Sequence, residues 1–362
     1  MEERLATDNA AANTGTTPVR PGFEIDEGVL AEWLRAHVAG FAGPLAIEQF
    51  RGGQSNPTYK LITPGKNYVL RRKPPGRLLP GAHAVEREAL VMSRLGAAGF
   101  PVPKVHALCE DDAVIGSWFF VMDLVDGRIF WDGGFPGVPA EERPAYFDAM
   151  NATLAQLHSF DPAAVGLGEY GKPGNYFARQ IGRWSRQYLE DTEAGRLADM
   201  DALAEWLPTA IPPGDETSVV HGDFRCDNMI FHPTEPRVLA VLDWELSTLG
   251  HPLADFAYHA MMYRMPLNPL NGLNGRDLAA LNIPAEDAYV AAYCARTGRE
   301  GIANWDFYLA FNLFRLAAIV HGIKGRALRG NASNASAGDR IRTLPDLARL
   351  GREAMERCIA KG

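Results

Sequence analysis

The sequence predicts an α+β protein, with a small antiparallel-sheet lobe followed by a larger, mainly helical lobe. Three observations predict it. Short β-rich runs crowd into the first third of the chain. Runs with helical periodicity fill most of the remaining two thirds. The 362 residues, 47% of them hydrophobic, supply core for two lobes at roughly 150 residues each.

Residues 1–22 are small, polar and poor in anchors, which reads as a disordered tail. From Glu24 to Val38, the residues Ile25, Val29, Leu30, Trp33, Leu34 and Val38 recur at helical spacing. After the Gly52-Gly53 break come TYKLIT and NYVLRR, on either side of a Pro-Gly turn, a hairpin pattern. HAVEREALVMSRLGAAG reads as a helix stopped by Gly99 and Pro101. PVPKVHALCEDDAVIGSWFFVMDLVDG reads as two more strands around an acidic turn. Residues 23–122 therefore make the sheet lobe, 123–127 a hinge, and 128–362 the second lobe. There, PAYFDAMNATLAQLHSFDP, NYFARQIGRWSRQYLED and MDALAEWLPTAIP are apolar-periodic helices, VLAVLDW is a buried strand ending in a charge, and the chain after Leu253 is again mostly helical.

Composition narrows the function. A formal charge of −8 and a pI near 5.6 argue against a strongly basic nucleic-acid binder. Cys109, Cys226, Cys294 and Cys358 form no CxxC pair and read as reduced thiols. No apolar run reaches the roughly 18 residues that span a bilayer, and the first residues lack a secretory signal's apolar stretch. The expectation is a cytoplasmic protein with no membrane or nucleic-acid partner, its oligomeric state open.

The informative segment is His221-Gly222-Asp223-Phe224-Arg225-Cys226-Asp227-Asn228, with Asp243 at the end of the strand-like run. Phosphoryl transfer from ATP needs a carboxylate to take the acceptor's proton, oxygen ligands for Mg2+, and positive charge on the transferring group. Asp223 fits the base. Asn228 and Asp243 fit the metal pair, because Mg2+ takes hard oxygens and keeps several waters. In isolation Asp223 or Asp227 is as well read as a helix cap. A metal-dependent hydrolase built on His221 and His232 would leave the upstream sheet unexplained.

HGDFRCDN resembles the HGDxxxxN loop of the aminoglycoside phosphotransferase and choline kinase superfamily, itself similar to the HRDxxxxN loop of protein kinases. VLAVLDWE resembles that superfamily's metal-binding strand end, with Glu245 where kinases have Gly. GHPLADFA resembles the following segment, in which Asp255 would brace the loop carrying His221, and LAQLHSFDP resembles a helix end of the same group. The resemblance covers nearly the whole chain after residue 22. It implies a protein-kinase-like two-lobed fold, with ATP and Mg2+ as cofactors.

It also implies a nucleotide side. Gly52, Gly53, Gln54, Ser55 and Asn56 lie where a loop would approach phosphates. The place of the kinase lysine falls on Arg71, with Lys73 two residues on, and the choice between them stays open. Glu88 fits the partner acid, with Glu86 as the alternative. Met122, Asp123 and Leu124, after Phe120 and Val121, resemble the adenine-binding hinge.

The acceptor is less determined. Arg179, Arg183 and Arg186 share one side of a helix, and Arg315 interrupts an apolar one. A buried guanidinium needs an anionic partner. The partner is either an internal carboxylate or a substrate carrying carboxylate, thioester or phosphate groups. The runs YVLRRKPPGRLLPGAHAVERE and VIGSWFFVMDLVDGRIFWD resemble the subgroup whose kinase domain occurs fused to acyl-CoA dehydrogenases. That resemblance implies a hydroxyacyl-CoA or hydroxy-acid acceptor, an anionic small molecule. Aminoglycoside, choline or homoserine kinase activity stays open within the fold, and a nucleotide-binding pseudokinase interaction module outside enzymology.

Overall fold

The computed structural model describes residues 14–51, 56–76, 83–330 and 337–361. The chain divides into two compact units, as the two-lobed α+β reading requires. The first comprises Met1–Trp131, Ala163–Tyr170 and Cys226–Ser247, the second Asp132–Pro162, Gly171–Arg225 and Thr248–Gly362.

A six-stranded antiparallel sheet dominates the first unit, with strands β1 (Thr16–Thr17), β2 (Ala46–Phe50), β3 (Thr58–Ile62), β4 (Tyr68–Arg72), β5 (Val105–Cys109) and β6 (Phe119–Asp123) in the order β1-β2-β3-β4-β6-β5. The hairpin predicted around Pro64-Gly65 is β3–β4, and the acidic turn between the last two strands is a short helix at Asp112–Ile115 capped by Asp111. β4 is central and every one of its residues is buried, which YVLRR tolerates only because both arginines find partners. Helix α1 (Glu27–His37), capped by Asp26, lays Leu30 and Leu34 against Tyr59, Leu61, Leu70 and Val121. Helix α2 (Val85–Ala97) ends where the Phe100 amide closes on the Leu95 carbonyl, after Gly99 at a φ of +85°.

Two boundaries differ from the sequence reading. The tail expected over residues 1–22 is structured near its end: Thr16 and Thr17 pair with Phe50 and Gln49, and Arg20 N donates to Gln49 Oε1. A single cut near residue 128 also fails. The hairpin Met229–Phe231/Val238–Val241 belongs with the sheet unit, where Arg128 and Phe231 exchange backbone hydrogen bonds and Val241 N donates to Pro101 O. Gly127 is obligatory there, because a Cβ would stand 2.3 Å from the Phe231 carbonyl oxygen.

Helices make up most of the second unit: Arg143–Ser159, Tyr176–Glu190, Ala198–Trp206, Pro252–Ala260, Glu286–Thr297, Trp305–Leu328 and Leu344–Lys361. The strands Ser218–Val220 and Thr248–Gly250 pair antiparallel beside them. Trp305–Leu328 is long enough to cross a bilayer and reaches a mean hydropathy of 1.2 in one window, although Asn312, Arg315 and His321 interrupt its apolar run. Most of it is buried, as in a core helix: Phe307, Leu309, Phe311, Leu313 and Phe314 are wholly covered.

Candidate active site

Arg71 organises the first unit's polar centre. Its Nε lies 2.9 Å from Glu88 Oε2 and its Nη2 2.7 Å from Asp243 Oδ1. Glu88 accepts a second bond, at 2.8 Å, from Asn56 Nδ2. Burial opposes the Arg71 charge, but the carboxylates of Glu88, Asp243 and Glu245 outweigh it and raise the guanidinium's pKa. Burial likewise lifts the Glu88 carboxyl, and Arg71 pulls it back only in part. Lys73 is elsewhere: it pairs with Glu86 at 2.9 Å and lies 3.9 Å from the Trp118 ring. So Arg71 pairs with the acid expected on α2, and Lys73 with the alternative.

The hairpin brings Asn228 and Asp243 together. Met229 pairs with Val241, and Leu242 N donates to Asn228 O at 2.8 Å, so the two residues flank one rung of the ladder. Asp243 sits at a φ of +62°, left-handed backbone that costs a non-glycine residue roughly 1 kcal/mol or more. Trp244, buried against Phe100 and donating to Val241 O, anchors the turn that imposes it. An amide and a carboxylate carried this close along the backbone are the residue types that suit a hard cation retaining water and phosphate ligands. Among the described residues no group of three His, Cys, Asp or Glu side chains could hold a metal ion.

Asp223 lies in the second unit, and the motif passes between units after Arg225. Its carboxylate Oδ1 accepts the Tyr258 hydroxyl at 2.5 Å, and its amide donates to His221 Nδ1. Asp255 braces the loop as the motif suggests: Oδ2 accepts the His221 amide at 2.7 Å and Oδ1 the Gly222 amide at 2.8 Å. Gly222 adopts a φ of +84°, which favours glycine. Burial works against the Asp255 charge, but His158, 3.2 Å away, and the loop amides hold the carboxyl below its usual range. His158 is itself held by the Tyr293 hydroxyl at 2.7 Å.

The other expected binding residues have these surroundings. Gly52, Gly53, Gln54 and Ser55 lie outside the described residues. Asn56 is wholly buried, and its side-chain amide is held by Glu88 and His83, so it supports Glu88. Asp123 is committed too: its amide donates to Lys104 O, and its carboxylate takes Lys66 and His106. Met122 is buried and Leu124 half-buried. Arg179 donates to Lys172 O, and the exposed Arg183 lies over its neighbour Trp184. Arg315, 7% exposed, donates to Gly222 O at 3.1 Å and lies 5.4 Å from the Tyr258 ring. These contacts are a carbonyl and an aromatic face. Sequence reasoning assigns no role to Tyr258 or His158. Tyr258 stands three residues after Asp255, a helical spacing that puts both on one face.

Residues 46–311 match the family model of the phosphotransferase enzyme family, APH. The chain belongs to that family. Acyl-CoA dehydrogenase family member 11 of Gallus gallus is 45% identical over 357 residues, and member 10 of Mus musculus 43% over 338. These alignments cover 96% and 92% of this chain but only 46% and 32% of those proteins, so the chain spans less than half the length of these curated relatives. A Ralstonia eutropha crystal structure of the aminoglycoside phosphotransferase kind is 50% identical, with a TM-score of 0.85 over 92% of this chain and 99% of that one. Choline kinase from Cryptosporidium parvum shares the fold at 10% identity, with a TM-score of 0.63 over 93% and 97% of the two chains.

Proposed function

We propose that this phosphotransferase-family chain is an ATP- and Mg2+-dependent kinase acting on a small-molecule hydroxyl, with a hydroxyacyl-CoA or related hydroxy acid as acceptor. The observation that carries the kinase reading is the pairing of buried Arg71 with buried Glu88 and half-exposed Asp243, in a chain that also holds Asp223 on a loop braced by Asp255. In the proposed reaction Asp223 accepts the acceptor's O–H proton. The acceptor oxygen forms its bond to the γ-phosphorus, and the bond from that phosphorus to the β–γ bridging oxygen breaks, leaving ADP. Arg71 places positive charge on the phosphates. Asn228 and Asp243 would supply the protein's oxygens for Mg2+, which would offset phosphate charge.

The acceptor class is supported by relatives named as acyl-CoA dehydrogenases, of which this chain matches only a part. The Ralstonia eutropha structure, matched almost end to end, supports an aminoglycoside-type acceptor as the second reading. A structure of spectinomycin phosphotransferase solved with ADP and spectinomycin shares the fold at 12% identity with a TM-score of 0.62. ATP consumption measured against hydroxyacyl-CoAs, free hydroxy acids, aminoglycosides and amino alcohols separates the readings. Turnover with the acyl thioesters is the expected result. Turnover confined to aminoglycosides selects the second reading. Nucleotide binding without turnover on any acceptor would identify an interaction module and overturn both.

A further inference from the structure

We propose that Tyr258 is a positioning residue for phosphoryl transfer, orienting the Asp223 carboxylate through its hydroxyl while Arg315 secures both from behind. The inference rests on the reading of Asp223 as the base. One turn of the helix Pro252–Ala260 grips the loop twice. Asp255 fixes its backbone through the amides of His221 and Gly222, and Tyr258 fixes its carboxylate at 2.5 Å. The second grip is charge-assisted, stronger than a hydrogen bond between neutral groups. Arg315 joins the two: Nη2 donates to the Gly222 carbonyl at 3.1 Å, and the guanidinium sits 5.4 Å from the Tyr258 ring. That distance is within cation–π range. Arg315 is 7% exposed, and burying a guanidinium is costly unless polar or aromatic groups receive it. Its hydrogen bond reaches the loop that carries the base, and its ring contact is with the phenol that holds the base.

The chemistry explains the arrangement. A carboxylate that must receive a proton gains when its plane is fixed before the acceptor arrives, since misalignment lowers the rate without changing affinity. A phenol suits the task because it donates to the carboxylate yet keeps its own proton. Burial first, and the neighbouring Asp223 charge second, push the Tyr258 pKa far up. Tyr258 therefore orients the base without competing for the transferred proton.

The test is Tyr258→Phe, which keeps the ring beneath Arg315 and removes only the hydroxyl. ATP consumption is followed with Mg2+ and ATP alone, where water is the acceptor, and then with a medium-chain hydroxyacyl-CoA and the other acceptors named above. The expected result is a kcat lowered about 10- to 100-fold, with KM for ATP and the melting temperature unchanged. In an Asp223→Asn background the same substitution should cost less than about twofold more, because a residue acting through Asp223 has nothing left to orient. Full activity in Tyr258→Phe, or an undiminished loss in the Asp223→Asn background, overturns the inference while the kinase reading stands. A wild-type chain that consumes no ATP in any arm overturns the kinase reading and this inference with it.

Discussion

Arg71 holds two acids at once: Glu88 Oε2 at 2.9 Å from its Nε, and Asp243 Oδ1 at 2.7 Å from its Nη2. One planar guanidinium spans a helix acid and the acid at the end of a β-hairpin. A lysine ammonium is a single point of charge and cannot present two faces of a rigid fork. Arginine at this place is therefore a different device from the lysine expected there, because it ties Asp243 to the sheet.

Arg71→Lys should fold but lose this double hold. The expected result is a kcat/KM for ATP lowered about 10- to 100-fold, because the phosphate-side charge and the metal carboxylate lose their shared support. Arg71→Met is harsher. It leaves Glu88 buried with only Asn56 beside it, and breaking a buried pair costs roughly 3–5 kcal/mol. Urea unfolding of both variants separates the effects. A stable, fully active Arg71→Met would remove the residue from the site.

Asn56→Ala tests the reassignment of Asn56. Its Nδ2 donates to Glu88 Oε1 at 2.8 Å in a buried setting, and removing one partner of a buried polar group costs about 1–3 kcal/mol. The variant should unfold at lower urea concentration. Asn56→Asp should be worse, since it sets a second carboxylate against Glu88. If both variants unfold like the wild type and only nucleotide affinity falls, Asn56 binds phosphate after all.

Protonation gives an independent measure of the second unit. Burial lowers His251 and His259 from 6.5 to about 4. Between those values the unfolded chain binds protons that the folded chain refuses. Stability is therefore present above pH 6.5 and is lost as the pH falls toward 4, by at most ~1.4 kcal/mol per pH unit for each histidine. His259 contacts the Phe224 carbonyl and the Tyr289 hydroxyl. His259→Gln retains a donor and an acceptor, and its melting temperature should fall less steeply over that window. An identical pH profile would place the acid sensitivity elsewhere.

Much of this is legible in the sequence where chemistry and period coincide. The β3–β4 hairpin announces itself by two apolar runs around Pro-Gly, and the loop from His221 to Asn228 by residue types whose spacing matches a phosphoryl-transfer loop. β2 and β1 are less visible. Ala46–Phe50 mixes Glu48 and Gln49 with its apolar residues, and the two-residue β1 is defined only by its pairing with β2. The side-chain partners of Asn56 and Asp123 are not legible, because they lie far off in sequence. Glu88 lies 32 positions from Asn56. The burial of Arg315 is legible in its apolar helix, but a carbonyl and an aromatic face leave no mark in sequence.

The base itself is tested by Asp223→Ala. Turnover should fall about 10²–10⁴-fold, the usual contribution of a positioned base, while nucleotide-induced thermal stabilisation persists. Asp243→Ala should lower turnover too and, unlike Asp223→Ala, weaken the Mg2+ dependence of that stabilisation. Near-normal turnover in Asp223→Ala would end the base assignment. Unchanged metal dependence in Asp243→Ala would remove it from the metal site.

The arginines divide into two predicted classes, and the division tests the charge of the acceptor. Arg183 is exposed, with its guanidinium over the Trp184 ring. Arg315 is buried against the Gly222 carbonyl and Tyr258. If an anionic acceptor is drawn in by surface charge, Arg183→Met raises the acceptor KM and leaves kcat and the ATP KM alone, because lost ground-state binding appears in KM. The effect should shrink as salt rises, since exposed charges are screened within about 8–10 Å at physiological ionic strength. Arg315→Met should instead lower kcat, because its contacts are with the loop that carries Asp223. Its melting curve should fall too, by an amount that reflects the hydrogen bond and ring contact it loses. Kinetics for both variants at two salt concentrations, with a hydroxyacyl-CoA and with an aminoglycoside, decide the matter. A salt-sensitive KM change for Arg183→Met on the acyl thioester alone supports an anionic acceptor. A kcat unchanged in a folded Arg315→Met variant would return that arginine to the acceptor side. Arg183→Met indistinguishable from wild type on every acceptor would make a neutral or cationic acceptor the better reading.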